Sequence, residues 1–162
     1  IIGDQNYIKN LVKNMSDCEC DIILPQLGII KNNIKKKIYQ SNDFKSLIYK
    51  TVTPEFGWIA KTKIFEKKKF NFKEFKIANH YEMFLKLYLN KKIFLRSKKP
   101  IYYFRLGGNS YKDYIKALNE QRIIALRAKG PIFKIYFEFS VSLLKFFIKY
   151  KVLKFILKDR LT

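Results

Sequence analysis

Between Trp58 and Ser110 the chain runs through patterns whose order limits the folds open to it. An aromatic and basic segment comes first, Trp58-Ile59-Ala60-Lys61-Thr62-Lys63-Ile64-Phe65. The run Ile77-Ala78-Asn79-His80-Tyr81-Glu82-Met83-Phe84-Leu85-Lys86-Leu87 follows. Here Asn79 can cap a helix reaching about Leu89, with Tyr81, Phe84, Leu85 and Tyr88 on one face. Last comes Ile101-Tyr102-Tyr103-Phe104-Arg105, a strand that runs into Leu106-Gly107-Gly108-Asn109-Ser110. Paired glycines permit positive φ and close backbone approach. Ser110 is placed to cap an amphipathic helix that continues to Lys129 and stops at Gly130-Pro131. A helix set between strands in this order predicts an α/β domain with antiparallel elements late in the chain.

The flanking sequence extends that reading. Ile1-Ile2-Gly3-Asp4 reads as the end of a buried strand turning into a loop. A chain that opens in mid-strand without an initiator Met is expected to be part of a longer protein. Tyr7, Ile8, Leu11 and Val12 have helical spacing within 6–14. Asp21-Ile22-Ile23-Leu24 reads as a strand closed by Pro25, and the lysine-rich stretch Lys31 to Tyr39 as an excursion with weak structure. Asp43 to Tyr49 suggests a short helix capped by Ser41 or Asn42. Pro54-Glu55-Phe56-Gly57 is a turn, the segment after it a strand or a short helix, and Phe70-Asn71-Phe72 a loop with buried aromatics. Ile93-Phe94-Leu95 and Ile101 to Phe104 read as two strands, separated by Ser97-Lys98-Lys99-Pro100.

At 162 residues the chain is long enough for one domain with a core of its own. Its formal charge of +21 draws attention to anionic partners. Of its 34 basic residues only five are Arg, and the Lys are spread along the whole chain. Nucleic-acid surfaces favour Arg for its planar fork. The charge therefore argues for a solvated lysine surface or a membrane surface, and against nucleic acid. Cys18 and Cys20 are too close and too isolated for a zinc site, and read as free thiols in a reducing compartment.

Residues 131–162 differ from the rest. Phe133, Phe137, Phe139, Phe146, Phe147 and Phe155 stand among Ile, Leu, Val and regularly placed Lys. A membrane span needs about 20 nearly uncharged residues, and Lys134, Glu138 and Lys145 interrupt this one. Placed at about 100° per residue, Lys134, Lys145 and Lys149 share one side, with Lys151, Lys154 and Lys158 opposite. That switch near Tyr150 predicts two helices or a kink. A basic aromatic helix of this type either lies in a bilayer interface or packs on the domain or a partner subunit.

The order and spacing of the patterns from Trp58 to Ser110 resemble the C-terminal half of the catalytic domain of family-2 glycosyltransferases. The likeness is to the bacterial branch that builds surface polysaccharides, and it spans roughly Asp21 to Gly130. It implies the C-terminal portion of a GT-A (Rossmann-like) domain over 1–130, without its N-terminal donor half, and a helical extension over 131–162. It also implies transfer of a sugar from a nucleotide-sugar donor to a surface-glycan or lipid-linked acceptor. The divalent metal of the family, Mg²⁺ or Mn²⁺, and a cytoplasmic location, peripheral at the inner face of the membrane, follow from the likeness alone.

Carried over residue by residue, the resemblance assigns Asp4 to the Asp-rich metal motif, where Gln5 and Asn6 replace expected carboxylates. Amide oxygens can ligate a hard cation but bring no charge, so metal affinity falls; read alone, Asp4 is a turn or cap residue. His80 stands at the position of the family's catalytic base, an Asp in relatives with an Ile-Ala-x-Asp-Tyr-Glu pattern. A neutral imidazole can accept a proton near pH 7. His80 is thus a replacement base or the mark of altered activity, and Glu82 points elsewhere on the helix. Arg105, Gly107, Gly108 and Ser110 are implied at the donor diphosphate, and Glu55 and Trp58 on the acceptor side, although relatives often carry His near the Glu55 position. The alternative is a catalytically degenerate relative that keeps the fold as a binding or scaffold module.

Overall fold

Ile22-Ile23-Leu24 offers no polar residue to solvent on either face, and a strand apolar on both faces belongs inside a sheet. The computed structural model, which describes residues 4–31, 34–38, 43–52, 57–66, 74–105 and 113–158, places it there. These residues open β1 (Ile22–Lys31), the strand to which every other strand of a four-stranded sheet pairs. Along one edge, β3 (Ile59–Ala60) and β2 (Ile34–Ile38) both run antiparallel to it, with Ile22 opposite Ala60 and Leu27 opposite Ile38. Along the other, β4 (Phe94–Arg105) runs parallel, from Ile22 opposite Phe94 to Ile30 opposite Arg105. The fold is mixed α/β.

The sheet corrects several expectations. β1 does not close at Pro25 but continues to Lys31. Pro25 has no N–H to give, and the ladder is irregular at this point: Leu24 faces Arg96 but Gln26 faces Pro100. Segments 93–95 and 101–104 are accordingly not two strands separated by Ser97-Lys98-Lys99-Pro100. They belong to one bulged strand, with a proline at the bulge where its missing donor is tolerated. Ser97 repairs the ladder, its hydroxyl accepting from the Gln26 N–H at 3.1 Å and donating to the Lys99 carbonyl at 2.7 Å. The lysine-rich stretch after Lys31 contributes β2, because pairing with β1 supplies the order that its composition does not, and lysines suit an edge strand.

Alternation along β1 divides the core between the two faces of the sheet. Ile23 and Ile101 meet Met15 of α1 (Gln5–Asp17) and Cys20 on one face. Ile22, Leu24 and Phe94 meet the larger cluster on the other. That cluster is built on α3 (Asn79–Leu89), α4 (Tyr114–Arg127), the start of α5 (Ile132–Lys158) and a 3-10 helix, Phe44–Ile48. Segment 58–66 is both strand and helix, β3 followed by α2 (Lys63–Glu66). The 3-10 helix is preceded by Asp43, with no side-chain cap.

α3 is more deeply placed than one amphipathic face requires. Met83 and Leu87 are buried together with Tyr81, Phe84 and Leu85, and the Tyr81 hydroxyl donates to the Leu47 carbonyl at 2.9 Å. Asn79 is the first helical residue and not the cap; Ala78 holds the cap position, with no side-chain bond. α3 and α4 end alike. Lys92 N–H bonds the Leu87 carbonyl and Lys91 N–H that of Tyr88, while Gly130 N–H bonds Ala125 and Lys129 N–H bonds Leu126. This is the Schellman arrangement, and in both helices a Lys takes the left-handed position, at φ 57°. Gly130 is needed for a different reason: a Cβ there would lie 2.1 Å from the Ile48 carbonyl oxygen.

Near Tyr150 the chain does not divide into two helices, and α5 is continuous over Ile132–Lys158. A change of polar face does not interrupt backbone hydrogen bonding, and once nucleated a helix propagates residue by residue. Among the described residues no helix is long and apolar enough to cross a membrane.

Candidate functional site

α4 holds the start of α3 in place. A single carboxylate oxygen of Glu120 accepts from the Ile77 N–H at 2.9 Å and from the Ala78 N–H at 2.8 Å. Two turns further along α4, Arg127 pairs with Glu74 and lies over the Phe75 ring, 5.2 Å from its centroid. The segment leading into α3 is thus fixed by a charge-assisted bond at the helix start, by an ion pair and by a buried aromatic. On this support stands His80, half-buried at the second position of α3. Its Nδ1 is buried and has no hydrogen-bond partner among the described residues. Glu82 turns away, bonded to Lys86 at 2.6 Å, and lines a cavity of about 230 Å³ with Phe75, Leu85 and Arg127.

Trp58 reaches the same helix from the stretch just before β3. Gly57 has φ +76°, and a Cβ there would meet the Tyr102 ring at 1.8 Å, so both the conformation and the space call for glycine. The Trp58 ring stands edge-on to Phe84 of α3 with centroids 5.8 Å apart, and Phe84 stands edge-on to Phe94 of β4 at 6.4 Å. Phe65 also packs on the indole, tilted to it with centroids 5.8 Å apart. One run of rings therefore joins the aromatic-basic segment, α3 and β4. Half-buried, Trp58 contributes to the core as well as to the surface.

Asp4 caps α1, with Oδ1 accepting from Asn6 N–H at 2.9 Å and Tyr7 N–H at 3.2 Å. No acidic residue lies in the first turn of α1, and among the described residues no group of three or more His, Cys, Asp or Glu is arranged to hold a metal. One carboxylate with an oxygen engaged in capping is a poor divalent-cation site. Arg105 ends β4 opposite Ile30. Glu55, Gly107, Gly108 and Ser110 lie outside the described residues, as does Phe70-Asn71-Phe72.

Sequence reasoning missed two supporting residues. Glu120 looks like any exposed-face Glu of an amphipathic helix, and its partners are backbone N–H groups some 40 positions away, which leave no mark on sequence. Arg96 is buried, donating to the Pro25 carbonyl and the Val52 carbonyl at 2.9 Å each, with its guanidinium 5.4 Å from the Phe44 centroid. Burial lowers its pKa to about 10, still far enough above neutrality to keep it a cation. The cysteines also form a pair, their sulfurs 2.7 Å apart.

No protein-family model matches this chain, and no curated protein or solved structure matches it.

Proposed function

We propose that this chain is the acceptor-side portion of a GT-A-fold, family-2-like glycosyltransferase, acting with a nucleotide-sugar donor on a surface-glycan or lipid-linked acceptor. The observation that supports it is the run of rings Trp58–Phe84–Phe94, which ties the first two segments that carry the resemblance to β4, the strand in which the third begins. In this reading the acceptor hydroxyl attacks the anomeric carbon and its proton passes to the imidazole of His80. The bond from that carbon to the diphosphate breaks, and its electron pair leaves with the nucleotide. Arg105 and the Gly107-Gly108-Asn109-Ser110 turn hold the diphosphate, and Glu55 and Trp58 orient the acceptor. By the resemblance a divalent metal would offset charge on the leaving group; Asp4, whose Oδ1 caps α1, would supply it at most one weak ligand.

A second reading has its own support. The Asp4 oxygen that caps α1 and the Trp58 indole packed against Phe65 and Phe84 both have structural work, as they would in a degenerate relative that binds glycan without chemistry.

The test is turnover of UDP-, GDP- and dTDP-sugars by the natural full-length polypeptide, with Mn²⁺ and with chelator. The expected result is metal-dependent transfer that His80→Ala lowers by about 10²–10⁴-fold, the range for loss of a general base. Transfer that survives His80→Ala assigns the base elsewhere. A folded sample with neither turnover nor metal-dependent nucleotide binding favours the binding module.

A further inference from the structure

α5 presents two unlike sides. One is built into the domain: Ile135 is only 1% exposed, Glu138 pairs with Lys50 at 2.8 Å, and Phe146 stacks on Tyr114 with centroids 5.1 Å apart. The other side is bare. Phe133 (82% exposed), Phe137, Leu144 and Phe147 stand in solvent, flanked by Ile132 and Ile148. Positions 133, 137, 140, 144 and 147, apolar except for Ser140, alternate steps of four and three, which at about 100° per residue is a single stripe. Continued in the same steps, the stripe reaches 151, 154 and 158. All of these are Lys, within the same unbroken helix.

We propose that α5 is a bilayer-surface anchor, its apolar stripe set into the headgroup–acyl boundary of an anionic membrane and its lysine continuation on lipid phosphates. Contiguous exposed aromatics on a domain are a binding surface in search of cover. The charge distribution decides what covers this one. A second copy would bring another chain of net charge +21 against the first. A nucleic acid would answer the lysines and leave the phenylalanines in water. An anionic bilayer satisfies both halves of the stripe at once. The helix lies along the surface and does not cross it, since it interrupts its apolar side chains with Lys134, Glu138 and Lys145 and is no candidate for a span. The proposal does not depend on sugar transfer: a membrane-bound module without chemistry would keep it.

Flotation of the full chain with vesicles tests it. The protein is expected to float with mixed phosphatidylcholine–phosphatidylglycerol vesicles, far less with phosphatidylcholine alone, and less as salt is raised. The combined substitution of Lys151, Lys154 and Lys158 by Gln should weaken binding about tenfold or more. Phe133→Ser with Phe137→Ser and Phe147→Ser should abolish it, with the thermal unfolding midpoint retained because these side chains are exposed. A Phe137→Trp reporter should be quenched by brominated acyl chains. The proposal is overturned by absence of binding to the anionic vesicles, or by binding that the Phe substitutions leave intact. It is equally overturned by a lipid-independent dimer that those substitutions dissolve, which would give the stripe to a second copy.

Discussion

Cys18 and Cys20 are chemically different acids although one residue separates them. Cys18 is half-buried at the C-cap of α1, and Cys20 is buried between α1 and the sheet. The hydrogen bond from Cys20 holds the Cys18 thiol below its usual value, and Lys61 adds to the effect. Burial pushes Cys20 the other way, up to about 11. The first proton lost from the pair is therefore carried mainly by Cys18. With iodoacetamide at mildly alkaline pH, Cys18 should be alkylated several-fold faster than Cys20, since more of it is thiolate and less of it is covered. Peptide mass spectrometry over a time course reads the ratio, and equal rates would refute the asymmetry. None of this was visible in the CxC spacing, which says that two thiols are near and not which of them is covered.

At the scale of elements, the start of α3 depends on a side chain from α4. Glu120→Ala should remove two charge-assisted bonds and leave the Ile77 and Ala78 N–H groups without their acceptor. The expected cost is about 2–3 kcal/mol, read as a lower thermal midpoint. Glu120→Gln should lose less, because an amide oxygen still accepts. If Ala and Gln behave like the parent, the carboxylate is not what holds this turn. Helices α1, α3 and α4 were legible because their apolar spacing repeats over several turns. Their ends were less so. Asn79 looked like a cap and became the first helical residue; Ala78 holds the cap position, and its N–H is met by Glu120 of α4. Pro100 looked like the end of a gap between two strands and sits in a bulge, because Ser97 bonds across the break.

For the molecule as a whole, α5 divides between core and surface, and the two parts should respond differently to mutation. Ile135 joins the cluster built on α3 and β1. Ile135→Ala should cost about 2–5 kcal/mol in a denaturant titration, as for other large-to-small changes in a core. Breaking the Lys50–Glu138 pair, which is partly exposed at both ends, should cost about 1 kcal/mol or less. Comparable costs for the two would mean that the helix is held by charge and not by burial. What the sequence by itself determined is the α/β class, the placement of the main helices, and the aromatic, lysine-rich character of the last segment. Periodicity and composition are local properties, and a single pass along the chain reads them. Only the tertiary structure decided that β4 lies parallel to β1 as one strand, that a lysine-rich stretch pairs as β2, and which side of α5 is left uncovered. Each depends on partners distant in sequence: a backbone edge already formed, or a core surface that one face of a helix finds and the other does not.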